Sequence, residues 1–528
     1  MPPAQSDLLT LVRAAGQRLG SAPCLAVGDT VCSGEDLRRR VEAMAAALLR
    51  RGFHPGDRLV VLLHRCIEEG VAILAAAAAG GMAVPLHGKL KDDQVAHVLA
   101  DCEPFGVVTS ALRVLALRDP TTTLGKARVF RVGDPPLPVS AEPFAALDSA
   151  GTADAAGSEL LAPRGHTPAA LLYTSGSTGL PKGVVQDHHN LALGAALVAD
   201  YLALAPQDHL LAVLPFSFDY GLNQLLSALH AGCRVTAADH LGPGELAELC
   251  RRLRPTGLAG VPSLWHEVAS GLQTGVLSAE HGRSLRFVTN SGGPLRPTDS
   301  AQVRGHWPHV RVFAMYGLTE AFRSAFLDPA EFDRYPESFG RALPGVELLL
   351  VDPHSGALLQ GEGSGELVHA GALVAQGYWR RPEATAERFR CDPRGGGGRV
   401  VYSGDIVRRC AEGRHWFVGR ADRLLKVHGH RISPDEIATA VAGLEGVGEV
   451  AVFGLDGGAD GHRIVLAVSG DAADADLRQR IRRRCRTRLP SYMQPAVLRV
   501  LSTLPHNANG KVDEAELRAT MGPCTDDI

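Results

Sequence analysis

The run Tyr173-Thr174-Ser175-Gly176-Ser177-Thr178-Gly179-Leu180-Pro181-Lys182-Gly183 gathers hydroxyls and glycines behind an apolar stretch and ends in a lysine. Polyphosphate chemistry wants this composition. Glycines let backbone N–H groups approach phosphate oxygens, hydroxyls add donors without bulk, and a lysine supplies a movable point charge. The run is not a Walker loop, because Gly-x4-Gly-Lys-Ser/Thr is absent. A plain flexible linker would not usually follow a buried strand and end in Pro-Lys-Gly. Lysine is also rare: only six of the 54 basic residues are lysines, and three of them, Lys182, Lys426 and Lys511, fall within motif-like runs. In a chain that otherwise uses arginine, such placement suits sites needing a compact ammonium rather than a planar fork.

Five further runs follow in order: Asn290-Ser291-Gly292-Gly293; Met315-Tyr316-Gly317-Leu318-Thr319-Glu320; Tyr402-Ser403-Gly404-Asp405; Gly419-Arg420-Ala421-Asp422 through Lys426 and Gly429; and Asn507 to Lys511. With the hydroxyl loop they span nearly the whole chain. In this order they resemble the motifs of the AMP-forming adenylate synthetases, which include acyl-CoA ligases, luciferases and the adenylation domains of peptide synthetases.

The resemblance implies a role for each run. Thr174, Ser175, Gly176, Ser177, Thr178, Gly179 and Lys182 would hold the ATP phosphates. Tyr316 offers a flat ring for adenine, with Gly292 and Gly293 permitting close backbone approach and Asn290 offering amide groups nearby. In enzymes similar to this one Glu320 holds Mg²⁺ against the phosphates and Thr319 binds the α-phosphate, as suits a hard cation and a carboxylate. Asp405 would accept from both ribose hydroxyls, and Arg420, fifteen positions on across an expected hairpin Val407 to Val418, would donate to the same sugar. Lys511 resembles the lysine that bridges carboxylate and α-phosphate during adenylation, a contribution on the order of 3 to 4 kcal/mol, like one oxyanion-hole donor. Asp422 matches the hinge about which the C-terminal domain turns. That rotation would bring Lys426 and Gly429 to the site, Gly429 leaving room for a thiol-bearing arm.

The reaction so implied joins a small carboxylic acid to ATP, giving an acyl-adenylate and pyrophosphate, then passes the acyl group to a nucleophile with release of AMP. The acyl pocket is expected around Phe218, Asp219, Gly221, Asn290 and Gly317. Leu214 to Gln224 together with Met315 to Ser324 look most like a bacterial branch of acyl-CoA ligases, some of them associated with exosortase gene clusters. That resemblance puts CoA first as acceptor. Phe218-Asp219 is also similar to amino-acid adenylation domains, where the aspartate pairs with a substrate ammonium, and a buried carboxylate needs a partner. The alternative is therefore a stand-alone ligase charging a carrier-protein phosphopantetheine, or an amide synthetase passing the acyl group to a free amine. A degenerate, non-catalytic nucleotide binder would be expected to have lost some of Thr319, Glu320, Asp405, Arg420 and Lys511, all of which are present.

The elements that must position these residues read as α/β. Apolar runs at Leu59 to Leu63 and Ala83 to Leu86 flank a helical pattern from Ile67 to Ala79, as in βαβ units. Further runs at Phe105 to Val108, Ala170 to Tyr173, Leu210 to Leu214, Arg234 to Ala237, Leu285 to Thr289 and Val310 to Met315 mostly end at Gly, Pro or Ser. Such junctions are where doubly wound sheets place ligands. From Val346 the pattern changes to short turn-separated strands. The expected organisation is a large N-terminal domain of doubly wound sheets over 1–419, with a small β-rich subdomain from about 346 to 419, a hinge at 420–422, and a small mobile α+β C-terminal domain over 423–528. That last unit opens with a helix announced by Ser433, Pro434 and Glu436 as cap, first residue and capping box.

Composition agrees with an ordinary globular enzyme: 528 residues, 45% apolar, 21% charged, net charge -3. A near-neutral chain argues against nucleic acid as main ligand. The arginines 478, 480, 482, 483, 484, 486 and 488 read as a solvated helix face, with a grip on CoA phosphates or an acidic carrier protein as the alternative. His188 reads as a capping or surface histidine. No cysteine spacing suggests a metal knuckle or redox pair, no segment reads as a signal peptide or membrane span, and the expected location is cytoplasmic.

Overall fold

The computed structural model describes residues 7–520 apart from 89, 91, 126, 134–137, 149–164, 175–180, 241, 354, 396, 422–424, 428–429, 433, 457–461, 490–492 and 508–509. Among the described residues the first sheet has seven strands, in the order Glu142–Pro143, Arg128–Val132, Gly106–Ser110, Arg58–Leu62, Met82–Pro85, Pro168–Thr174 and Lys182–Asp187. All of its neighbours are parallel except the last pair. Its strands read as unbroken apolar runs because both faces are covered, and Val60, Leu62, Val84 and Val107 are fully buried.

The second sheet opens as a parallel array. Pro23–Val27, Arg234–Ala237, His209–Ala212, Gly257–Gly260, Phe287–Asn290 and Arg311–Tyr316 lie side by side. Register aligns Gly260, Asn290 and Ala314, so the carboxyl ends of three strands share one edge. Helices such as Asp219–Ala231 and Pro262–Gln273 cover it, the second beginning with a proline already set at helical φ.

The strands expected as a β-rich part after Val346 are joined to the second sheet by hydrogen bonds. They continue the second sheet antiparallel through Ala325–Phe326, Ser338–Ala342, His415–Arg420, Arg399–Arg409, Gly363–Gly371 and Val346–Val351, making one ladder of fifteen strands. The short strand Ala325–Phe326 bonds Arg311–Tyr316 on one side and Ser338–Ala342 on the other, and so carries the hydrogen bonding across.

The C-terminal part has its own core. Val450–Asp456, His462–Ser469 and Val497–Leu501 form a sheet beneath the helices Pro434–Val441 and Ala475–Arg488, with Ile437, Val441, Leu466 and Ile481 buried between them. Asp474 caps the second helix by accepting from the Leu477 amide at 2.9 Å. The cap expected at Ser433 lies outside the described residues, and the helix begins at Pro434 as expected.

Candidate active site

The hydroxyl loop is the connection of a hairpin. Thr174 ends one strand and pairs with Lys182, which begins the antiparallel return. The sequence pattern placed this loop after a strand but did not show that a strand follows it. Ser175, Gly176, Ser177, Thr178 and Gly179 lie outside the described residues. Lys182 is half-buried with its ammonium 5.6 Å from the centre of the Tyr378 ring.

Tyr378 was not singled out by the sequence. The segment carrying it runs along the hairpin, where the Val185 amide donates to the Gly377 carbonyl at 2.9 Å and the Trp379 amide to the Gly183 carbonyl at 2.8 Å. Its hydroxyl donates to Glu320 Oε1 at 2.6 Å. One tyrosine thus joins the hairpin lysine to the carboxylate expected to hold a cation. Thr319 and Glu320 occupy a single 3₁₀ turn, fixed by Gln186 Nε2 donating to the Thr319 carbonyl and by the Ala375 amide donating to the Glu320 carbonyl at 2.9 Å.

Glu320 Oε2 accepts no hydrogen bond among the described residues, and no cluster of three metal-ligating side chains occurs among them. A single half-buried carboxylate oxygen fits Mg²⁺, which keeps several waters and substrate phosphates among its ligands rather than demanding a protein cage.

Asp405 and Arg420 are register partners on the hairpin of Arg399–Arg409 and His415–Arg420, as their spacing led one to expect. Arg420 Nη1 lies 3.0 Å from Asp405 Oδ1. The other oxygen, Oδ2, accepts from the Tyr316 hydroxyl. Tyr316 ends its strand with Phe339 and His369 stacked near it, ring centres 4.5 and 5.7 Å away. Burial, reinforced by the Asp405 charge, raises the phenol well above its usual range, so it stays a donor.

Gly292 sits where three elements meet. Its φ is +85°, a left-handed conformation, and a Cβ added there would meet Val261 at 3.5 Å and Phe218 and Lys511 at 4.0 Å. Lys511 belongs to the C-terminal domain. Its turn is closed by the Gly510 amide donating to the Asn507 carbonyl at 3.0 Å. The same domain is tied down by Arg296 Nη1, which donates to the Gly448 carbonyl at 2.6 Å. The C-terminal lysine and the Asn290 strand end are thereby brought together. Asn290 donates from Nδ2 to the Gly293 carbonyl at 2.9 Å, while its buried Oδ1 accepts nothing among the described residues.

Asp219 begins a helix and is 4% exposed. Its partner comes from the chain itself: Arg323 Nη1 lies 3.8 Å from Asp219 Oδ2. Burial raises the carboxyl above its usual range, opposed by the charges of Arg323 and Lys511. Gly221 has a packing reason, because a Cβ there would overlap the Pro215 carbonyl oxygen. Gly317 is less constrained, an added Cβ lying 3.2 Å from the Phe322 carbonyl oxygen. Asp422 and Gly429 lie outside the described residues, and Lys426 lies in the strand Leu425–Val427. His188 is buried and accepts from the Leu8 amide through Nδ1 at 3.2 Å, tying the first helix to the core rather than serving the site.

Comparison with known proteins agrees with this geometry. A model of the AMP-binding enzyme family matches residues 12–379, and one of the AMP-binding enzyme C-terminal domain matches 436–511. The chain belongs to the AMP-binding enzyme family, and is an AMP-forming adenylating ligase. It is 32% identical to an L-proline–[L-prolyl-carrier protein] ligase of Streptomyces coelicolor, across 99% of this chain and 98% of that one. It is 31% identical to the AMB antimetabolite synthetase AmbB of Pseudomonas aeruginosa over 98% of its own length but only 39% of that protein. ATP-bound MatB from Rhodopseudomonas palustris superposes with a TM-score of 0.81 at 25% identity, over 97% of this chain and 99% of that one. Among the described residues no helix is long and apolar enough to cross a membrane.

Proposed function

We propose that the protein activates a small carboxylic acid with ATP at the junction of Gly292, Asp219 and Lys511, then passes the acyl group to a phosphopantetheine thiol. The observation that carries this reading is the seating of Lys511, from the C-terminal domain, within van der Waals reach of a side chain placed at Gly292. There its ammonium would neutralise charge building on the α-phosphate as the carboxylate attacks. Thr319 would donate to the same phosphate. Asp405, held by Arg420 and Tyr316, would receive the ribose hydroxyls. Lys182 and the loop Thr174 to Gly179 would hold the outer phosphates. Mg²⁺, held by Glu320, would neutralise phosphate charge and make pyrophosphate a better leaving group.

For the second half-reaction, Asp422 would serve as hinge, and Lys426 and Gly429 would line the path of the thiol arm once Lys511 withdraws. A thiol on a carrier protein is supported by the Streptomyces relative, a carrier-protein ligase matched over 98% of its length. CoA carries the same arm and is favoured by the likeness of Leu214 to Gln224 to acyl-CoA ligases. The two acceptors part in one experiment. With adenylate formed from a competent acid, CoA and a phosphopantetheinylated carrier protein are each supplied and AMP release is followed. Acceleration by either thiol supports the reading and names the acceptor; acceleration by neither, with release by hydroxylamine or free amines alone, contradicts thiol transfer.

A further inference from the structure

Against the helix Asp219–Ala231 lies a small space of about 30 Å³, lined by Tyr220, Thr289 and Arg323 among others, room for about two waters or the two oxygens of a carboxylate. One wall is apolar, with Leu210, Leu258 and Phe287. The other is polar, formed by Tyr220, Asn223, Gln224, Ser227, Thr289 and Arg323. Arg323 is 2% exposed. Its Nη1 donates to the Phe322 carbonyl at 3.1 Å, and its guanidinium lies 4.7 Å from the centre of the Tyr220 ring. The approach of Nη1 to Asp219, 3.8 Å, is an ion pair too long for a hydrogen bond. Nε and Nη2 have no acceptor among the described residues.

Those two nitrogens form one side of the guanidinium fork, which matches the two oxygens of a carboxylate. This protein uses that side elsewhere: Arg286 Nε and Nη2 hold Asp208 Oδ1 and Oδ2 at 2.8 and 2.6 Å. Arg323 lines this space, and its Nε and Nη2 hold no protein carboxylate among the described residues, Asp219 being paired at longer range through Nη1 alone. A buried cation with two unpartnered donors is a costly feature for a pocket that takes only apolar acids. It is well matched to a ligand that brings its own anion.

We propose that Arg323 is a specificity residue that receives a second carboxylate of the substrate, so that the acid activated is a dicarboxylic acid, with or without an amino group. The inference rests on the adenylation reading above, in which the first carboxylate meets Lys511. Asp219 lies 3.8 Å from Arg323 and in the field of Lys511 as well. Where the acid also carries an ammonium, Asp219 is placed to face it.

The test is acid-dependent exchange of labelled pyrophosphate into ATP, using carbon-matched pairs: glutarate with pentanoate, succinate with butyrate, and glutamate with norvaline. The wild type is expected to show kcat/KM for the better diacid about a hundredfold above its monoacid partner, because a site built around a hydrogen-bonded group rejects the analogue lacking it. Arg323→Met should collapse that ratio to near one, and Asp219→Asn/Arg323→Met gives the same reading without leaving an unpaired buried carboxylate. Preference for glutamate over glutarate would assign Asp219 to the ammonium. Monoacids equal to or better than diacids in the wild type, which needs no variant to fold, would overturn the inference while leaving adenylation intact. A ratio unchanged in a folded Arg323→Met protein would overturn it as well. Absence of exchange with every acid would defeat the adenylation reading itself, and the inference with it.

Discussion

Tyr378 and Asp405 show how single side chains set the charges of this site. Tyr378 holds Glu320 by one hydrogen bond at 2.6 Å and lies under the Lys182 ammonium. Tyr378→Phe keeps the ring and loses the hydroxyl. A single hydrogen bond of this kind is worth about 1 kcal/mol, so the Mg²⁺ concentration for half-maximal activity should rise roughly fivefold, with stability little changed. Asp405→Asn removes the charge from the acceptor bridging Tyr316 and Arg420. Because charge-assisted bonds contribute roughly 1.5 to 3 kcal/mol, KM for ATP should rise about tenfold or more, with KM for the acid unmoved. Asp405 and Arg420 were legible in the sequence because a hairpin of their spacing makes them neighbours. Tyr378 and Arg323 were not. Each matters through burial and a partner far along the chain, and nothing local separates Arg323 from the arginines around it.

At the scale of elements, the apolar runs named from the sequence fall within two or three residues of strands, and Ile67 to Ala79 matches the helix Ile67–Ala78. Pairing was another matter. Periodicity shows that a strand has a buried face and not which neighbour bonds its edge. The continuous ladder through Ala325–Phe326 and the return strand Lys182–Asp187 were therefore visible only in the structure. In the helix Asp219–Ala231, Gly221, read from sequence as part of the acyl pocket, also lies against the Pro215 backbone, a contact that periodicity does not reveal. Gly221→Ala should force that first turn outward and destabilise the protein by about 1 to 3 kcal/mol, read as a lower urea midpoint. Full stability with a changed KM for the acid would restore the pocket role and contradict the packing one.

At the scale of the whole molecule, three buried histidines and the half-buried His209 make stability depend on pH. Burial lowers His188, His209 and His415 to about 4 and His369 to about 3. Unfolded, each would take its proton near 6.5. Their contribution to stability is therefore complete above pH 6.5 and is lost as pH falls towards 4, where the unfolded chain binds more protons than the folded one. Urea midpoints should fall steadily over that interval, and His188→Gln should flatten the dependence. A smaller C-terminal unit was legible from the change in pattern after Gly419. The placing of Lys511 against Gly292 was not, because it depends on how two separately packed cores meet.

On the reading proposed above, Lys511, seated at this junction, drives formation of an acyl-adenylate. That role is tested most directly by acid-dependent exchange of labelled pyrophosphate into ATP, without thiol or amine, in the wild type and in Lys511→Ala. The account predicts exchange with at least one class of acid, reduced in Lys511→Ala by about two to three orders of magnitude, as for loss of a transition-state charge worth roughly 3 to 4 kcal/mol. Equal exchange in the two proteins, or no exchange with any carboxylic acid, would contradict it.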